Sequence, residues 1–141
     1  MAKVEKRFTV EEANALIPWL RPQLEQLQRL KGEYEDKWLQ LQRLRRAVAQ
    51  HGAKEKDPFF QHEAELDFLH IQARAILERI HRTGALVKDI DWGLVDFPAI
   101  VNGETVFLCW RLGEDRVRFY HGLHDGFLGR RPLDPEDEGE G

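Results

Sequence analysis

The chain of 141 residues is long enough to form one folded domain with its own core, and its 42% hydrophobic and 33% charged residues are typical of a globular protein. The net charge of −4 is concentrated at the C-terminus, where residues 133–141 carry five acidic and no basic side chains, so the rest of the chain is nearly neutral and gives no electrostatic reason to expect a nucleic-acid partner. The single cysteine, Cys109, excludes an intramolecular disulfide, and without an apolar stretch of about 20 residues or a signal peptide we expect a cytoplasmic protein that does not span a membrane.

The first predicted element is a helix that begins at Val10. Thr9 and Glu12 stand at the spacing of a capping box, in which each side chain bonds the backbone N–H of the other residue. Because proline is tolerated in the first turn of a helix, Pro18 indicates that this helix ends and that a second, longer helix begins. Pro22 weakens this prediction, since it falls near the end of the permitted turn.

The longer helix is predicted from a regular apolar pattern. From Leu20 to Val48 the inward positions recur at alternating steps of four and three, which is typical of a two-stranded coiled coil. Lys31 and Arg45 interrupt this seam, and Gly52 is the expected stop. Three leucines lie off the seam: Leu30, Leu39 and Leu44.

A further helix is predicted after a short connector. Asp57 is expected to cap its N-terminus with Pro58 in the first helical position, and Gly84 is expected to end it. Its apolar seam runs from Leu66 to Ile80 in steps of three and four. Two long helices joined by a short connector predict an antiparallel, coiled-coil-like helical hairpin.

Beyond the helices the hydrophobic period changes to two, as in β-strands. Asn102-Gly103 is the strongest short-range signal of a β-hairpin. A two-residue turn at this point pairs Val101 with Glu104 and, further from the turn, Phe97 with Leu108.

A second reversal is predicted in the string LGEDRV. When it is centred on Glu114-Asp115, it pairs Trp110 with Phe119 and Leu108 with His121. The two registers agree on one apolar face: Val95, Phe97, Ala99, Val106, Leu108, Trp110, Leu112, Val117, Phe119 and His121.

We therefore predict an α+β fold in which the helical hairpin packs on a small three-stranded antiparallel β-meander. The single domain is expected to cover residues 1–132, with the hairpin in 10–83 and the meander and a Gly-rich loop in 85–132. Residues 133–141 form an acidic tail that lacks the apolar content to fold.

Asp96 interrupts the apolar strand and lies on the other face of the predicted sheet, in a row with Cys109 and Tyr120. Arg111 and Arg118 oppose each other in a neighbouring row, where two cations repel unless an anion lies nearby. Two interpretations remain open. One is a solvated sheet face with a surface ion pair, which we prefer because structural ion pairs often mimic sites, and the other is a polar and aromatic site.

The predicted register places His121 on the apolar face beside Phe97 and Leu108. We therefore predict a core histidine that is energetically unrelated to Asp96. A site that uses both side chains would require the third strand to end or bulge before His121. Glu114 lies at the tip of the predicted hairpin, too far along the strand to share a metal ion with His121.

The segment HGLHDGFLGRRP is rich in glycine, and its arginines are placed to hold an anion, although it matches no phosphate-binding fingerprint. We identify no metal-ligand set and no cofactor motif. The candidates for ligand binding are Asp91, Asp96, Cys109, Arg111, Glu114, Arg118, Tyr120, His121 and Arg130.

Four strings occur in the order FTVEEANALIP, KDIDWGLVDFP, LCWRLGE and FYHGLHDGFLGRRPL. With them the chain resembles a bacterial family catalogued as domain of unknown function 2203, over nearly its whole length except the acidic tail. The resemblance implies a small cytoplasmic bacterial protein without an established activity, and it supplies no catalytic residues. The matching strings contain Asp91, Asp96, Cys109, Glu114, His121 and Arg130, whose roles stay open.

Two classes of function follow from these observations. The leading hypothesis is a homo-oligomeric interaction module, a homodimer paired through the helical hairpin, because apolar side chains on the helices are left uncovered. The alternative is a small-ligand, metal-binding or enzymatic site around Asp96, Arg111, His121 and the Gly126–Arg130 loop. A nucleic-acid-binding hairpin is a third and less favoured hypothesis.

Overall fold

The computed structural model describes residues 6–134 as two long helices followed by an antiparallel sheet, an α+β fold. The elements are α1 (Val10–His51), α2 (Phe60–Arg82), β1 (Leu86–Asp89), β2 (Leu94–Val101), β3 (Glu104–Arg111), β4 (Phe119–His121) and β5 (Arg131–Pro132), with a 3-10 turn at Phe127–Gly129. Within residues 6–134, neither helix is long and apolar enough to cross a membrane.

α1 is one continuous helix of 42 residues, so the predicted break at Pro18 is wrong. Pro18 and Pro22 stand one turn apart on an exposed face. The carbonyl groups that they leave without an N–H partner are therefore open to water, which makes the two prolines tolerable inside the helix. The capping box is confirmed, because Thr9 Oγ1 accepts from the Glu12 N–H at 3.1 Å and Glu12 Oε1 accepts from the Thr9 N–H at 2.9 Å.

α2 begins later than predicted. Its N-cap is Phe59, which makes no side-chain capping bond, so the prediction that Asp57 caps this helix is wrong. Its C-terminal end follows the prediction, since the last helical residue is Arg82 and Gly84 adopts the left-handed conformation (φ 99°) that glycine favours.

The two helices pack on each other and share one core. Lys37 Nζ lies 2.6 Å from Glu65 Oε2, and the Arg45 guanidinium lies 5.8 Å from the centre of the Phe59 ring. Lys31, which interrupts the apolar seam, points to the sheet and forms a 2.5 Å ion pair with Asp91. The Lys31 side chain therefore links α1 to the turn between β1 and β2.

Within residues 6–134 the sheet has five antiparallel strands in the order β1-β2-β3-β4-β5, not the three predicted. The additional strands, β1 and β5, lie at the two edges and are only four and two residues long. β1 pairs Leu86 with Asp96, and its register shifts between Val87 and Asp89. β5 pairs Arg131 with Tyr120.

The β2–β3 register is confirmed, with Val101 opposite Glu104 and Phe97 opposite Leu108. The β3–β4 register differs from the prediction by one residue, because Leu108 faces Tyr120 and Phe107 faces His121. A shift of one residue moves every side chain of a strand to the other face of the sheet. His121 and Phe119 therefore lie on the Asp96 face, and Tyr120 lies on the helix side.

The core fills the space between α1, α2 and the helix-facing side of the sheet. Its largest fully buried side chains are Trp110, Phe97, Leu20, Leu24, Leu27, Ile80, Leu108 and Val95. At the C-terminal end of the described chain, the Leu133 N–H donates to the Arg118 carbonyl at 2.7 Å and its side chain packs on this core. Most of the predicted acidic tail, residues 135–141, lies outside the described residues.

Candidate functional site

Three side chains that can bind ligands meet on the side of the sheet that faces away from the helices. Asp96, Cys109 and His121 belong to the three neighbouring strands β2, β3 and β4, and all three are buried. One donor atom from each residue lies within 4.8 Å of the other two. Sheet pairing brings them together because Cys109 stands directly opposite Asp96, while His121 occupies the next row of the same face.

The Asp96–His121 contact is the closest polar contact in this cluster. His121 Nε2 lies 3.1 Å from Asp96 Oδ1, and both side chains are only 5–6% exposed. His121 Nδ1 lies 2.8 Å from the carbonyl oxygen of Gly122. A carbonyl oxygen can only accept, so Nδ1 carries a proton and donates it. The contact with Asp96 therefore needs a second proton, held between Nε2 and the carboxylate. The prediction of a core histidine unrelated to Asp96 is wrong.

Burial sets the protonation of the other two groups. Burial raises the pKa of the Asp96 carboxyl above its usual value, while the hydrogen bond and charge of His121 act in the opposite direction. Burial also raises the pKa of the Cys109 thiol to about 12, against the opposing charge of Arg130. Cys109 is consequently a neutral thiol at pH 7. A neutral thiol is a poor nucleophile.

The cluster opens onto a cavity of about 310 Å³. A small organic molecule fits a cavity of this size. Its wall combines charged and apolar groups: Lys88, Leu94, Asp96, Phe107, Cys109, His121, Leu123, His124, Gly126 and Phe127. Lys88 Nζ lies 5.6 Å from the centre of the Phe107 ring, so a cation stands on the wall beside the carboxylate.

One arginine side chain, stacked on two aromatic rings, holds the Gly122–Arg130 loop over this face. The Arg130 guanidinium lies 4.0 Å from the centre of the Phe119 ring and 4.7 Å from that of Phe127. Arg130 Nη2 also donates to Glu114 Oε1 at 3.0 Å and to the Cys109 carbonyl oxygen at 3.3 Å. Arg130 therefore links the loop to the strand that carries Cys109, and its contribution is to position the cavity wall.

The remaining candidates lie away from the cluster. Asp91 is exposed and pairs with Lys31, and Arg111 is exposed with its guanidinium 4.3 Å from the centre of the Trp92 ring. Glu114 Oε1 accepts from the Arg111 N–H at 2.7 Å.

Arg111 and Arg118 do not face each other across neighbouring strands, so that prediction is wrong. Arg118 precedes β4 and pairs with Asp115 at 2.8 Å. Tyr120, predicted beside Asp96, instead packs against the core on the helix side of the sheet.

Several wall residues were missed by the sequence reasoning. Lys88 was missed because β1 was not predicted, although the string LVKD has the composition of a short edge strand. Phe127 belongs to the Gly126–Arg130 loop, which the alternative hypothesis includes, whereas His124 was missed because this glycine-rich segment has no periodicity from which a position can be inferred. The string HGLHDGF was nevertheless a usable signal, because it places two histidines and an acid beside the end of a strand.

This arrangement offers three kinds of chemistry. The Asp96–His121 pair can give a proton to a bound molecule or take one from it. Its buried charge can orient a polar ligand in the cavity. Together with Cys109 it presents oxygen, nitrogen and sulfur donors at one point, which is a donor set of the kind that binds transition metals.

Comparisons with known proteins identify the family but no activity. The model of a family described as "Uncharacterized conserved protein (DUF2203)" matches residues 6–133. No curated protein matches the chain, and no solved structure matches it. The matched range contains every strand of the sheet and all three residues of the cluster. The chain is a member of the DUF2203 family.

Proposed function

We propose that this protein binds a small polar molecule in the cavity beside Asp96 and His121. The observation that carries the proposal is the buried Asp96–His121 contact of 3.1 Å on the cavity wall. Burying a carboxylate is costly, and a purely structural role is better served by apolar side chains of similar size. A polar pair kept next to an open cavity is therefore best explained by a molecule that contacts it.

The composition of the wall supports a ligand that has both polar and apolar groups. Phe107 and Phe127 provide flat apolar surfaces, while Asp96, His121 and Lys88 supply polar groups. This combination of an apolar wall with a few convergent polar groups is typical of small-molecule sites.

The proposal is tested by ¹H–¹⁵N spectra of chelator-treated protein in the presence of a library of small polar fragments. We expect binding fragments to shift the amide signals of Leu123, Gly126 and Phe127. Leu123→Trp should abolish these shifts, because Leu123 lines the cavity and a larger ring fills it. Leu128→Trp is the matched control, since Leu128 lies in the same loop and is 97% exposed. Fragments that shift no cavity amide, or that bind Leu123→Trp equally well, would refute the proposal.

A second candidate function is homodimerisation, which an apolar stripe on α2 favours. Phe60, Ala64, Phe68, Ile71 and Ala75 follow steps of four, four, three and four, so they lie on one side of the helix. Phe60, Phe68 and Ile71 are 62–66% exposed. The buried residues of α2, such as Leu69 and Ile80, lie on the opposite side. A helix that is apolar on two sides is typically covered on both.

This stripe is complementary in size to a second, antiparallel copy of itself. In that arrangement Phe60 faces the partner's Ala75 and Ile71 faces the partner's Ala64. Phe68 then lies near the two-fold axis. Large side chains pack against small ones along roughly 22 Å of helix. The cross-helix contacts of Lys37 with Glu65 and of Arg45 with Phe59 support an antiparallel hairpin that presents α2 in this way.

Light scattering at micromolar concentration tests the dimer. We expect the wild-type protein to have the mass of two chains and Phe68→Glu to have the mass of one, because a buried unpaired carboxylate opposes association. Leu128→Glu, which places the same charge on an exposed loop residue, should remain dimeric. A monomeric wild-type protein would exclude this function.

A further inference from the structure

We propose that Asp96, Cys109 and His121 bind a divalent transition metal of the zinc class, with the cavity at the open coordination position. This inference rests on the proposed ligand-binding function, because it assigns the group that anchors the ligand in the same cavity. The family model carries no such assignment, and it follows from the geometry of three side chains on three adjacent strands.

The orientation of His121 is the first support. Its Nδ1–H is held by the Gly122 carbonyl oxygen at 2.8 Å, which leaves the lone pair of Nε2 directed at Asp96 Oδ1. Two acceptors facing each other at 3.1 Å repel unless a proton or a metal ion lies between them, so the position that the shared proton occupies is one that a metal ion can take. Metal-binding histidines commonly have this arrangement, in which one ring nitrogen donates to a carbonyl and the other binds the metal.

Cys109 is the second support. It places a sulfur within 4.8 Å of the nitrogen and oxygen donors. Tetrahedral zinc, with bonds of about 2.0–2.3 Å, holds its ligand atoms about 3.3–3.8 Å apart, so small side-chain shifts bring all three to bonding distance. Sulfur and imidazole donors disfavour Mg²⁺ and Ca²⁺, which bind through oxygen atoms.

The cavity is the third support. Three protein ligands leave one position of a tetrahedral metal free, as in catalytic rather than structural zinc sites. The same three residues line the cavity of about 310 Å³, so the free position opens into it. When the metal binds, it replaces the proton between Asp96 and His121 and the thiol proton of Cys109, and both protons pass to solvent.

The test is a titration of the tag-free, chelator-treated protein with Co²⁺, followed by displacement with Zn²⁺. We expect one Co²⁺ per chain and an intense near-ultraviolet band from thiolate-to-cobalt charge transfer, which Zn²⁺ abolishes. Cys109→Ser should lose the band. Asp96→Asn and His121→Gln should bind at least about tenfold more weakly. His70→Gln is the matched control, because His70 is exposed on α2 and lies outside the cavity, and it should bind like the wild type.

Circular dichroism and the dispersion of ¹H–¹⁵N spectra establish that each variant is folded before it is compared. Binding without the charge-transfer band would overturn the proposal, as would equal affinities of Cys109→Ser and His70→Gln. An absence of binding at high micromolar metal would also overturn it. The fragment experiment uses chelated protein, so fragments that bind without metal leave the proposed function standing when this inference fails. Metal binding without any fragment binding would support the metal site and count against the proposed binding of small polar molecules.

Discussion

Breaking the Asp96–His121 contact should reveal a strong energetic coupling between β2 and β4. We expect Asp96→Ala and His121→Phe each to lower the free energy of unfolding by about 3–5 kcal/mol, because each leaves a buried polar partner without its counterpart. Both residues are 4% exposed, which limits the water that can replace the lost group. The double variant buries neither charged group and should cost less than the sum of the two single variants.

The magnitude of the coupling follows from the nature of the contact. A hydrogen bond to a charged group contributes about 1.5–3 kcal/mol, and we expect a double-mutant coupling in this range. The assay is urea unfolding at pH 7 in the presence of a chelator, with equal m-values as evidence that the variants share one folded state. A typical domain has about 5–15 kcal/mol of stability, so the single variants should remain measurable.

The Lys37–Glu65 ion pair provides the control cycle. Its side chains are 37% and 33% exposed, and solvent screens such a pair, so the control should be nearly additive. If the Asp96 and His121 substitutions were also additive to within about 0.3–0.5 kcal/mol, the two side chains would not interact and the reasoning would be refuted.

Three further predictions concern single residues. Because the pKa of Cys109 is about 12 in the folded protein and 9.0 in the reference state, ionisation of the thiol favours the unfolded chain above pH 9. Wild-type protein should therefore lose about 1.4 kcal/mol more stability than Cys109→Ala between pH 7 and pH 10 in chelator, and equal pH dependence in urea titrations would contradict this. Gly93→Ala should cost about 1–3 kcal/mol, because Gly93 has φ 63° and a Cβ there would lie 2.5 Å from the Leu112 Cβ. Gly103→Ala, where φ is 79° without a nearby atom, should cost less, and the opposite order in thermal denaturation would show that close packing at Gly93 is unimportant. Arg130→Met should lower stability by about 1–3 kcal/mol and Glu114→Gln by less, since Gln can still accept from the Arg111 N–H, and equal losses in urea unfolding would argue against this role of Arg130.

The sequence predicted the fold best where local chemistry determines geometry. Asn102-Gly103 fixes a two-residue turn, with Asn102 at φ 51° and Gly103 at φ 79°, and the whole β2–β3 register follows from it. The α1 start was also predicted, because the Thr9–Glu12 capping box is a local interaction. The short edge strands β1 and β5 escaped prediction because pairing with β2 and β4, not their own composition, makes them strands.

The candidate site was predicted in its members but not in its arrangement. Asp96, Cys109 and His121 were all recognised as candidates, yet the turn before β4 was placed as a two-residue reversal. The chain instead forms a wider loop, in which Glu114 accepts from the Arg111 N–H and its carbonyl oxygen accepts from Trp110 Nε1. With this wider loop the β3–β4 register shifts by one residue, which brings His121 to Asp96.

The prolines of α1 also show that a local sequence signal does not determine the structure by itself. Pro18 and Pro22 have a strong local tendency to end a helix, but their consequences depend on whether the freed carbonyls face water or the core. The exposure of the two prolines, which the sequence does not reveal directly, allows the helix to continue.

A crystal structure of the protein grown with Zn²⁺, with anomalous diffraction data at the zinc edge, tests the proposed metal site directly. We expect one anomalous peak on the outer face of the sheet, about 2.0–2.3 Å from Asp96, Cys109 and His121. Phe107 should stand opposite His121 in the β3–β4 pairing. A His121 side chain packed among the helices, with Asp96 in solvent and zinc bound only elsewhere, would contradict it.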